Sequence, residues 1–186
     1  INFSHAYHFS QYSLRADRMD LSRLGGYYSA RTNRVAIVSS PDRALPSAEQ
    51  TAPESMGPAD QIAAIDHEPA DNQFVKIAHE LAHQLAFNTG LQKRGVMYPL
   101  WVSEGLATQY ETALSYCRQT NLARQDRLME MQQQHRLLAL DELIVLTRLP
   151  AGQARREDVY AQAWGFFNFL LQQRPDRLQD YLATLY

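Results

Sequence analysis

The chain has 186 residues, 45% of them apolar, and a formal net charge of −2. That is long enough for one domain with a hydrophobic core and too apolar for a disordered chain. The charge balance argues against a nucleic-acid partner, which usually needs a basic patch and a high pI, and no segment approaches the ~18 consecutive apolar residues of a bilayer span.

In chain order, residues 1–24 are mixed in character, and "SLRADRMDLSRL" reads as a helix before the Gly25–Gly26 break. "YYSARTNRVAIVSS" follows. Its β-branched core from Arg34 reads as a strand, and a turn at Arg31–Asn33 pairs it with Gly26–Ser29 as a hairpin. Residues 41–72 hold five of the eight prolines and seven acidic residues against one arginine, Arg43. This composition predicts a flexible insertion, and its place just before the next segment suggests a lid. Thereafter helical periodicity covers 73–88, 100–115, 121–135, 140–147, 156–173 and 176–185. "NTG" at 88–90 reads as a helix stop and Pro175 as a separator. The expected fold is α+β and mostly helical, with a small N-terminal antiparallel sheet, in a single domain over 1–186. Cys117 is the single cysteine and reads as a small packed side chain. The chain opens at Ile1 rather than Met, so a longer precursor or a trimmed chain is expected and any targeting peptide lies out of view.

The helix at 73–88 carries "HELAHQL". His79 and His83 lie four apart, about one turn, and so can aim two imidazoles at one point. Glu80 projects beside that point and suits a base that holds a water. Phe74, Ile77, Ala78, Leu81 and Leu85 fall on the opposite side, which predicts a buried stripe behind a ligand face. Six histidines and nine glutamates give H-E-x-x-H by chance roughly once in a hundred such chains. A catalytic zinc site needs a third protein ligand and an open position. Glu104, in "LWVSEGLATQYE", is the candidate: the intervening chain holds a helix stop, a loop and a second helix start. Thr108 and Glu111, on the same helical face, are each able to accept a hydrogen bond from a ligand imidazole, with Glu111 preferred for its charge. His5, His8, His67 and His135 read as surface residues.

"HELAHQL" followed by "WVSEGLA" resembles the gluzincin metallopeptidases, whose third zinc ligand is a Glu in a W-x-x-E-G-x-A context. "GYYSARTNRVAIV" and "YAQAWGFFNFL" extend the similarity to a little-characterised bacterial family of gluzincin-like peptidases over about residues 25–175, many of whose members are thought to be exported. The resemblance implies Zn2+ at His79, His83 and Glu104, Glu80 as general base, "RVAIV" as an edge strand that pairs with substrate, and a periplasmic or extracellular setting. It also implies a hydrogen-bond donor on a later helix, for which Tyr160 is the best placed. Ser103 stands where aminopeptidases of this type have Asn, and no segment grips a free amine, so the expected activity is that of an endopeptidase on peptide or protein substrates. The other expectation is a catalytically silent module that keeps the fold to bind a metal or a protein.

Overall fold

The computed structural model describes residues 1–21, 24–39, 70–111 and 121–185. Cys117, His67, most of the 41–72 insertion and the tail of the helix expected over 100–115 lie outside these residues.

The N-terminal part forms around a hairpin. Strand β2 (Gly26–Ser29) and strand β3 (Arg34–Val38) pair antiparallel, with Asn33 in the left-handed conformation (φ 55) at the turn. A two-residue strand β1 (Asn2–Phe3) adds in parallel on the far side of β3, giving the order β1-β3-β2. The sheet is therefore mixed, and Arg34–Val38 is its central strand. The expectation of "RVAIV" at the edge fails because a two-residue strand leaves no periodic signature. Helix α1 (Ala6–Asp17) begins and ends earlier than expected. It stops where Arg18 turns left-handed and its N–H returns to the Leu14 carbonyl. Asp17 then ties the helix to β2 by accepting from the Tyr27 and Ser29 hydroxyls, at 2.7 and 2.5 Å. Phe9, Tyr27, Ala36 and Val38 form the core here.

Helix α2 (Ala70–Asn88) packs against β2, β3 and helix α3 (Leu100–Ala107). Tyr28 stacks on Phe87, and the Gln84 amide donates to the Asn33 carbonyl at 2.8 Å. Gly90 follows with φ 81, as the stop at 88–90 requires. The stripe behind the histidines is not buried as expected: Phe74, Leu81 and Leu85 are exposed, and Ala82 and Ala86 are the buried residues. Periodicity assigns residues to a common face but not a partner to that face, and among the described residues the small alanine side makes the packing contact.

A second core joins α3 to helix α5 (Leu140–Val145), helix α6 (Gln153–Gln173) and helix α7 (Pro175–Thr184), through Trp101, Val102, Leu143, Ala163, Phe167 and Leu178. Helix α4 (Leu122–Gln133), capped by Asn121, packs on α6. The fold is α+β with a helical majority, and α2 lies at the seam between the two cores. No helix of the described residues is long and apolar enough to cross a membrane.

Candidate metal centre

Two neighbouring helices supply the cluster. His79 and His83 share a face of α2, and Glu104 stands at the middle of α3. Gly105 brings α3 close to α6: a Cβ at this position would lie 2.7 Å from the Ala163 carbonyl oxygen and 2.9 Å from the Phe167 Cβ. Only glycine fits that approach, which fixes the height of Glu104 against the rest of the fold.

The facing atoms form a triangle. His79 Nε2 lies 3.2 Å from His83 Nε2 and 3.2 Å from Glu104 Oε2, and His83 Nε2 lies 3.4 Å from the same oxygen. Ligands held about 2.0–2.1 Å from a tetrahedral ion stand ~3.3 Å from one another. The three side chains are thus already at the mutual spacing of one face of such a tetrahedron, and the group can hold a metal ion. Burial pulls the His79 imidazolium down, but its hydrogen bonds to Glu104 and Glu111 outweigh burial and lift its pKa to about 10. Burial pushes the Glu104 carboxyl up, yet bonds from His79 and His83 bring it to about 2. The site therefore favours positive charge at its centre.

Glu111 comes to 2.9 Å from His79 Nδ1. Burial opposes its ionisation, but His79 and Arg124 overcome this and bring it to about 2. An ionised carboxylate only accepts, so His79 Nδ1 carries the proton and Nε2 faces the triangle. Thr108, the other candidate for this role, does not reach an imidazole. The α-helix tightens to a 3-10 turn over Thr108–Tyr110, and the Thr108 hydroxyl turns back to its own helix, 2.7 Å from the Glu104 carbonyl.

Glu80 lines a cleft of about 730 Å3 together with His79, Glu111 and Tyr160. Burial raises its pKa against the pull of His79 and His83, and the Tyr28 backbone donates a hydrogen bond to its carboxylate. The Tyr160 ring stands edge-on to His79, centroids 6.1 Å apart. Burial and the carboxylates of Glu104 and Glu80 raise its pKa, so it remains a donor. His5, His8 and His135 are exposed and remote from the cluster.

Sequence reasoning missed the surrounding shell. Arg124 forks both oxygens of Glu111, with Nε at 2.8 Å and Nη2 at 3.1 Å, and Asn121 Nδ2 adds a bond at 3.3 Å. Both residues come from the start of α4, a polar helix whose pattern reads as solvated surface, so no spacing signal pointed to them.

Residues 73–185, more than half of the chain, match the family described as "Protein of unknown function (DUF1570)". The chain belongs to this family. The matched DUF1570 region contains the whole triangle, Glu111, Arg124 and Tyr160, whereas the sheet lies before it. No curated protein and no solved structure matches the chain.

Proposed function

We propose that this chain is a zinc-dependent peptidase, most consistent with an endopeptidase. The observation that carries the reading is the His79–His83–Glu104 triangle, whose His79 lines a cleft together with Glu80. Two imidazoles and one carboxylate are a standard catalytic zinc set. Zinc there would supply a Lewis acid to polarise the scissile carbonyl and to acidify a water.

The protein groups divide the remaining work. Glu80 takes the proton of the attacking water as its oxygen bonds to the carbonyl carbon. It delivers that proton to the amide nitrogen as the C–N bond breaks. The Tyr160 phenol donates to the developing oxyanion. Substrate is held by the outer edge of β2, which no other strand covers among the described residues. The register and the bond from Val38 N–H to the Gly25 carbonyl at 3.0 Å turn Tyr27 and Ser29 toward β3, which leaves the backbone groups of Gly26 and the Tyr28 carbonyl facing outward, while the Tyr28 N–H is taken by Glu80. An extended peptide adds to such an edge by main-chain hydrogen bonds. The edge falls to β2 rather than to "RVAIV" because β1 covers the far side of β3.

Glu80→Gln tests the reading. The variant is expected to bind zinc as the parent does, by metal analysis, while hydrolysis of a peptide library falls by about a thousandfold or more. Full hydrolysis in Glu80→Gln would remove the residue from its role. Stoichiometric zinc with no cleavage by the parent would favour the silent metal-binding module.

A further inference from the structure

We propose that Arg124 is a positioning residue that ties the metal-binding imidazole of His79 to the Tyr160 phenol. The inference rests on the metal reading of the triangle but not on peptide hydrolysis.

One guanidinium meets three groups from two other parts of the chain. Its Nε and Nη2 edge forks Glu111, whose Oε1 in turn accepts from His79 at 2.9 Å. Its Nη1 reaches Glu157 Oε2 at 2.5 Å, and its face lies over the Tyr160 ring, with Cζ 5.1 Å from the centroid. Glu157 and Tyr160 are three residues apart on α6, so edge and face of one flat cation engage the same turn of helix. Four bonds from three donors, His79, Arg124 and Asn121, fill the two oxygens of Glu111. That carboxylate has no freedom to swing, and the imidazole it orients cannot rotate away from the triangle. The cation over the phenol ring also lowers the cost of placing negative charge near its hydroxyl. Lysine offers a point charge and no fork, so it cannot hold both groups at once.

The plainer reading is an ion pair that only staples α4 to α6. A second staple between the same helices serves as the control. Arg127 bonds Asp158 at 2.7 Å and lies outside the cleft. If Arg124 positions the site, Arg124→Met lowers affinity for Zn2+, and for Co2+ by competition, about tenfold. It also shifts the visible Co2+ absorption, and Arg124→Lys recovers little of either. Arg127→Met is expected to lower the melting temperature while leaving both metal readouts as in the parent. In a double-mutant cycle, Glu111→Gln is expected to add almost nothing to the affinity loss of Arg124→Met. Where peptide hydrolysis is measurable at saturating zinc, Arg124→Met lowers kcat with KM retained, and adds little to Tyr160→Phe.

Unchanged metal affinity and spectrum in a folded Arg124→Met or Arg124→Lys protein would overturn the proposal, as would full additivity with Glu111→Gln. Full multiplication of the kcat losses with Tyr160→Phe would break the tie to the phenol. A parent protein that binds neither Zn2+ nor Co2+ refutes the metal reading itself, a result distinct from these.

Discussion

His79 stands between two carboxylates, because it faces Glu104 through one nitrogen and Glu111 through the other. After chelation its stability effect has a definite sign. A histidine raised from 6.5 to about 10 contributes stability in full below pH 6.5 and loses it as pH rises toward 10. Glu104 and Glu111, lowered from 4.5 to about 2, contribute in full above pH 4.5 and lose it as pH falls toward 2. The metal-stripped protein is therefore expected to gain most from this cluster between pH 4.5 and 6.5, as measured by denaturant unfolding in a chelator across pH. A contribution that kept rising from pH 6.5 to 9 would contradict the arrangement. The two histidines were legible in the sequence, since helical spacing dictates that residues four apart share a face, and Glu104 was legible as a carboxylate set among apolar residues one helix later. Arg124 was not, because its partners lie 13, 33 and 36 positions away and meet it only through tertiary packing.

At the scale of elements, the site depends on the distance between α3 and α6. Gly105→Ala places a methyl group against the Ala163 carbonyl and the Phe167 Cβ, and backbone cannot yield as a side chain tip can. Overpacking of this kind costs about 1–3 kcal/mol. A fall of several degrees in melting temperature is expected, together with weaker metal binding because Glu104 moves with the helix. Calorimetry and a chelator competition on the same sample check both, and an unaltered melting temperature would rule out the tight approach. Helix α2 could be read from its period, and its end from Gly90. The winding after Ala107 could not be read, since Thr108 fits a helix by residue type but its hydroxyl donates back to the Glu104 and Gly105 carbonyls. The exposed Phe74, Leu81 and Leu85 make the same point: a shared face is a local property, while its cover is a property of the fold.

At the scale of the whole molecule, the triangle draws on α2, which packs on the sheet, and on α3, which belongs to the helical core. A bound ion would therefore clamp the seam. Binding to the native state alone adds about 2.7 kcal/mol at a hundredfold excess over Kd. Stoichiometric zinc is expected to raise the melting temperature, and a chelator to reverse the gain. Hydrogen exchange is expected to slow most in α2 and α3. Protection spread evenly over α7 and the sheet would show that the ion does not act at the seam.

Among the described residues no strand lies beside the outer edge of β2. Outward-facing backbone groups on an edge strand are an invitation to another copy of the same strand, the usual route to aggregation. Here the strand is four residues long, and the turn at Asn33 ends it. The Tyr28 backbone is engaged by Glu80, and the Lys76 ammonium sits 3.1 Å from where a Cβ would stand on Gly25, just ahead of the strand. An edge this short, with a cation at its entrance, has too little length to template a growing stack.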